Sequence, residues 1–283
     1  MDTQSGHWGP VTATLDWCEA NYQFSHYVAE ISNTFSNLFF IGISLYGARL
    51  STQECLPTRF LVGFAGSALI GLGSFFFHAT LLYEAQLADE LPMIYVASYL
   101  LAMLLESETG FGLRSTYSKI LVAGVVVFDV LFTASYLVYR NPVYHQCVFA
   151  SLMVATLLRE VHLLTRSDAS RTIPDKKKAV IITILRTGLF LFLFGFLVWN
   201  LDNIFCGSWT QVKRAVGWPI AFFMEGHAWW HIFTGLGTFY LNQGITCMAL
   251  SVKDDHHKYY LSYQYGLPLV KRTSKPERAK GKE

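Results

Sequence analysis

AVIITILRTGLFLFLFGFLVW, residues 179–199, reads as a helix built to sit in lipid. Crossing about 30 Å of hydrocarbon takes ~20 apolar residues at 1.5 Å rise each, and this run reaches that length with a single charge, Arg186. The Arg186 stem is long enough to snorkel towards the nearer face. Six more runs of the same character lie at 31–50, 60–82, 91–105, 120–139, 143–164 and 219–250. The 91–105 run is short, with Pro92 expected in its first turn, where a missing amide hydrogen does no harm. The last run is long enough to tilt or to leave the membrane. The expectation is an all-α membrane protein with seven transmembrane helices.

Composition agrees. Of 283 residues, 52% are hydrophobic and only 15% charged, and the mean hydropathy is +0.33. An average soluble domain carries roughly 25% charged residues; this chain has too little polar surface to cover itself. Residues 1–30 are polar, lack Lys and Arg, and contain no apolar core segment ahead of the first long run, so the first helix is expected to serve as an uncleaved anchor. Five cysteines without a CxxC spacing argue against a thiolate metal cluster.

Basic residues set the orientation. The N-terminal arm and the 83–90 segment, read as a loop, are acidic, whereas the segment holding Arg166, Arg171 and Lys176 to Lys178 is basic, as is the tail beyond Lys271. The N-terminus is therefore expected in the lumen and the C-terminus in the cytosol, with Lys213 and Arg214 a discordant lumenal pair. The expected organisation is a lumenal arm (1–30), a transmembrane catalytic domain (31–250) and a cytosolic basic tail (251–283), disordered after about Val270. Cys18 and Cys206 both fall on the lumenal side, where a disulfide is permitted.

Ionisable groups inside spans cost several kcal/mol and so normally face a cavity or a partner. Ser74 and His78, four residues apart, share a helix face with Ser67 and Gly71. Alone, His78 is most simply a hydrogen-bonded packing histidine. His227 and His231 lie one turn apart, so both can reach one zinc ion, although aromatic packing also houses histidines. Together the three resemble the open coordination of a catalytic zinc site. Asp89 and Glu90, expected at the start of the third helix, offer a proton acceptor or merely a helix cap. In the arm, Asp16, Glu19 and Asn21, followed by Glu30, are hard oxygen ligands suited to calcium or simply a solvated segment. Glu30, Asn33 and Asn37 form a polar stripe, placing that face of the first helix inward. Asp129 within the fourth span has no evident partner in the sequence.

Four strings, TLDWCEANY (14–22), GSFFFHATLLYEAQLADELPMIY (73–95), LVWNLDNIFC (197–206) and GHAWWHIFTGLG (226–237), resemble the alkaline ceramidases in content and order. The resemblance implies a seven-helix hydrolase of the endoplasmic reticulum or Golgi membrane that cleaves the amide of ceramide or phytoceramide, with the lipid bilayer as its setting and no nucleic-acid partner. It implies zinc at His78, His227 and His231, and catalytic roles for Ser74 and Asp89. It further implies calcium at Asp16, Trp17 (through its carbonyl), Glu19, Asn21 and Glu30, and a Cys18–Cys206 disulfide. Glu225 and Asp129 depart from the family pattern. The alternative is a lipid receptor of the wider superfamily, which includes the adiponectin and progestin receptors, with the same histidines holding a structural zinc.

Overall fold

The computed structural model describes residues 6–106, 108–112 and 114–274. Among these, seven helices of 23 to 30 residues carry the architecture: α1 (Ile31–Gln53), α2 (Thr58–Thr80), α3 (Tyr83–Leu105), α4 (Thr116–Tyr139), α5 (Pro142–Thr165), α7 (Asp175–Ile204) and α9 (Gly226–Lys253). Two short helices, α6 (Asp168–Thr172) and α8 (Cys206–Val216), and a terminal hairpin of β1 (Tyr259–Gln264) and β2 (Leu267–Arg272) complete it.

Five of these helices, α2, α3, α4, α5 and α7, are long and apolar enough to cross a membrane, and the chain is a multi-pass membrane protein. The other two long helices, α1 and α9, carry Ser32, Asn33, Asn37, His227, His231, Asn242 and Gln243, all buried. α9 packs in the interior against α7, α1 and α2, while α1 lays its polar face against α2 and α9 and turns Phe35, Leu38, Phe39 and Leu45 outward. A helix screened from lipid by its neighbours need not be apolar all round. At the periphery the opposite holds. α4 buries only Ser118, Phe132 and Tyr136 and turns Val126, Val130 and Leu131 outward.

The third helix departs from expectation. It starts at Tyr83, so the 83–90 segment is helical, Asp89 and Glu90 lie well inside it, and Pro92 is internal rather than in the first turn. Neither acid is a cap. Proline at 92 removes the amide that would bond the Ala88 carbonyl. That carbonyl turns towards α2, where Gly73 makes room: a Cβ at Gly73 would stand 1.9 Å from Ala88 O and 2.8 Å from Asp89 N. The interior pair α7 and α9 meets in the same way, with Gly188 and Gly237 each too close to the other's carbonyl to carry a side chain.

The hairpin was not foreseen. It packs on α9, with Val270 N–H donating to Gln243 Oε1 (3.0 Å) and Tyr240 OH donating to Gly266 O (2.9 Å). The basic tail beyond residue 274 lies outside the described residues. On the same end Glu106 accepts from Arg59 (2.6 Å) and pairs with Lys253 (2.8 Å), tying α2, α9 and the segment after α3 together.

Gly73 places Ser74 beside α3, so Gly73→Ala must push α2 and α3 apart. The expected cost is about 1–3 kcal/mol, read as a lowered melting temperature in detergent. Gly42→Ala on α1, where a Cβ meets nothing within 4 Å, should shift stability by less than about 0.5 kcal/mol.

Candidate metal and hydrolytic site

The three histidines come together. One ring nitrogen from each of His78, His227 and His231 lies within 4.8 Å of the others, and all three side chains are at most 5% exposed. His78 ends the α2 stripe of Ser67, Gly71 and Ser74, all of which are buried as the shared face requires. His227 and His231 occupy the first two turns of α9.

Hydrogen bonds dictate which nitrogen of two rings faces inward. His78 Nδ1 lies 2.5 Å from Glu30 Oε2; a carboxylate only accepts, so Nδ1 carries the proton and Nε2 presents a lone pair. The Ser36 hydroxyl donates to Asn33 O (2.9 Å) and lies 2.8 Å from His231 Nδ1. With the hydroxyl hydrogen already used, His231 Nδ1–H is the donor there, and its Nε2 is also a lone pair. His227 Nε2 stands 3.2 Å from His78 Nε2, and the His227 ring stacks on Trp17 at 4.1 Å. Lone pairs converging in a buried space need a shared cation, and imidazole nitrogens suit a borderline-soft metal. The cluster can hold a metal ion.

Ser74 lies alongside, its Oγ 3.4 Å from His231 Nε2 and hydrogen bonded to the Asp89 carboxylate. Glu90 faces away from the histidines, into a buried network. Its Oε2 accepts from Tyr136 OH (2.6 Å) and Gln86 Nε2 (3.0 Å), and its backbone carbonyl accepts from His145 Nε2 (2.8 Å). Gln86 Oε1 in turn accepts from Thr14 N–H (2.8 Å). Of the two acids, Asp89 addresses the site and Glu90 holds α3 in place.

Of the arm residues, Glu19 and Glu30 are buried and Trp17 and Asn21 partly so, while Asp16 is exposed. Both Glu19 oxygens accept amides of the first turn of α1, Ser32 N–H (2.7 Å) and Asn33 N–H (2.8 Å). Glu30 Oε2 is shared between His78 and Asn33 (3.1 Å), while Glu30 Oε1 and Asn21 Oδ1 are buried without a partner. Asp16 Oδ1 accepts from Trp17 N–H (3.1 Å) and Asn21 Nδ2 (3.4 Å). Burial, with Glu30 close by, pushes the Glu19 carboxyl up to about 8. Burial likewise drives Glu30 well above the ordinary carboxylate range, reinforced by Asp16, Glu225 and Asp202, so the ionised form that accepts from His78 Nδ1–H calls for a cation close by. Crowded carboxylates with unmatched oxygens are the donor set of a hard cation.

Sequence reasoning missed several partners. Asp202, at the end of α7, lies against Gly226 at the start of α9, with its carboxylate facing the amino end of that helix. Lys213 is buried and paired with Glu225 (2.7 Å), and it also donates to Cys18 O (3.1 Å). That pairing removes one of the two charges that opposed the expected orientation, because a buried, neutralised lysine is no topological signal. Cys18 and Cys206 are disulfide bonded, with Cα atoms 5.4 Å apart. Intramembrane Asp129 accepts from Ser98 Oγ (2.9 Å), and Arg186 is exposed on α7. An (i, i+3) spacing links Ser36 to Asn33 in the sequence, but its bond to His231 comes from a distant helix and has no local signal.

Comparison with known proteins agrees with this geometry. The sequence profile of the ceramidase family matches residues 9–271. Alkaline ceramidase 3 of Mus musculus is 36% identical over 83% of this chain and 84% of its own length. Alkaline ceramidase YPC1 of Saccharomyces cerevisiae is 35% identical over 83% and 76%, and the alkaline ceramidase of Arabidopsis thaliana 29% over 85% and 86%. With a match covering nearly the whole chain and a buried polar centre where its four motifs meet, the chain belongs to the ceramidase family.

Proposed function

We propose that the chain hydrolyses the amide of ceramide or phytoceramide within an internal membrane of the endoplasmic reticulum or Golgi, releasing a fatty acid and a sphingoid base. The observation that carries this reading is the convergence of three buried imidazoles with Ser74 and Asp89, in a family whose relatives are alkaline ceramidases. Zinc held by His78, His227 and His231 would supply a Lewis acid for a carbonyl oxygen and a water of lowered pKa.

The residues divide the remaining work. Asp89 takes the proton of the attacking water as it adds to the amide carbon, then passes it to the sphingoid nitrogen as the C–N bond breaks. Ser74 donates its hydroxyl to the carbonyl oxygen as negative charge develops there. Glu30 and Ser36 hold the His78 and His231 rings in the orientation the site needs. Calcium bound by Asp16, Glu19, Asn21, Glu30 and the Trp17 carbonyl would fix the arm against α1 and take no part in bond making.

Seven spans, with the arm in the lumen, fit this reading. Seven long helices coincide with the seven apolar segments, and the polar content of α1 and α9 is turned inward. Burial of Lys213 removes one of the two charges opposing that orientation.

Purified wild type should release fatty acid from one or both lipids, and His231→Ala should lose metal and activity together. Asp89→Asn should keep the metal while kcat falls about 10²–10⁴-fold. A zinc-loaded wild type that cleaves neither lipid would return the receptor reading. Calcium has its own test. In calcium-free buffer Glu19 binds its proton more tightly folded than unfolded, so stability should fall as pH rises from the ordinary carboxylate range through about 8. Added calcium should flatten that slope and raise the melting temperature with log concentration, and Asn21→Ala should blunt both effects.

A further inference from the structure

The segment between α7 and α9 takes no part in the chemistry above, yet it exposes a run of large apolar side chains just ahead of His227. Along α8, residues fall into three stripes. Cys206, Thr210 and Lys213 face the protein, through the disulfide, a contact of Thr210 with Cys18 and the Glu225 ion pair. Gln211 and Arg214 are exposed on a second side. Phe205, Trp209, Val212 and Val216 form the third stripe, all of them exposed to between 38% and 56%. The apolar surface continues into the 3₁₀ turn Ile220–Met224, where Ile220 is 57% and Phe223 65% exposed.

We propose that α8 and the following turn lie in the plane of the lumenal bilayer interface, with the Phe205 to Val216 stripe, Ile220 and Phe223 sunk among the lipids. Its partner is the lipid surface itself. Continuity argues for this occupant, since the stripe extends the exposed ridge of α7 formed by Leu193, Leu197 and Leu201. Depth argues for it too. If α7 enters hydrocarbon just after Lys178, ~20 residues carry it across by about Trp199, and α8 begins at the headgroup level, where aromatic side chains gather. A helix with one apolar side and one charged side lies flat there.

The seat bears on the site. Trp209 Nε1 donates to Met224 O (2.6 Å), Trp229 Nε1 to Phe223 O (2.8 Å), and Lys213 pairs with Glu225. These bonds fasten the residues immediately ahead of His227 to the interfacial segment, so the bilayer becomes part of the scaffold that places the start of α9.

The proposal rests on the reading of the chain as a membrane-spanning enzyme, and its test separates the two. With the exposed Cys55 and Cys147 replaced by serine, single cysteines are introduced as Val212→Cys, Val216→Cys, Ile220→Cys, Gln211→Cys and Leu193→Cys. Each variant is labelled with bimane and placed in phosphatidylcholine nanodiscs carrying doxyl groups at shallow or deep acyl positions. Emission at 212, 216 and 220 should be blue-shifted and fall several-fold with the shallow quencher, emission at 193 should fall with the deep one, and emission at 211 should change little. If 193 is quenched while 212, 216 and 220 behave like 211, the interfacial seat is overturned and the spanning reading stands. If 193 is not quenched either, both fall.

Discussion

The amino ends of two helices, each met by a carboxylate from far along the chain, hold the rest of this structure in place. A helix leaves its first amides without partners and concentrates partial positive charge there. In α1 these amides are taken by Glu19, thirteen residues before Ser32 in sequence, and at α9 the carboxylate of Asp202, carried on α7, lies against the amino end. Neither helix uses its own N-cap side chain for this. The arm must therefore fold back over α1, and the end of α7 must sit against α9, before either site helix is finished. Once both are in place, His227, His231, Ser36 and Glu30 are fixed relative to one another, and the α2 stripe brings His78 and Ser74 to the same point.

This construction concentrates negative charge. Asp16, Glu19, Asp202 and Glu225 all lie within electrostatic reach of Glu30, and Lys213 pairs with Glu225 among them. Placing so many acids in a buried region is unfavourable unless helix amino ends, a lysine and bound cations offset it. All three compensations have a place here: two helix ends, one lysine, and donor sets with unmatched oxygens and converging imidazole lone pairs.

Much of this was legible in the sequence, and the losses have physical causes. The seven apolar runs each became a helix, because length and hydropathy are read directly. The three histidines and Ser74 were legible because polar side chains at helical spacing on apolar helices have few other reasons to exist. The start of α3 was not. Glu84, Gln86, Asp89 and Glu90 depress local hydropathy, and the expected loop is a helix whose polar side chains meet Thr14, Ser74 and Tyr136. The place of Glu30 was half legible: the polar stripe it shares with Asn33 and Asn37 turned it inward, but its bond to His78 joins residues 48 positions apart. Lys213 was misread as a solvated charge, since charge counting takes no account of burial against Glu225. The hairpin after α9 gave no warning, its short strands lying in what composition alone marks as tail.

Glu30 spends one oxygen on His78 and leaves the other turned towards the arm. A single carboxylate thus belongs to two polar centres at once. Whatever draws charge from its outer oxygen changes how strongly the inner one holds the His78 proton, and with it the basicity of the nitrogen that faces the other histidines. Thermodynamics makes that influence mutual: if occupancy of the arm alters affinity at the histidines by some factor, occupancy of the histidines alters affinity at the arm by the same factor. A segment that looks like packaging is then one terminal of a two-way coupling with the buried histidines.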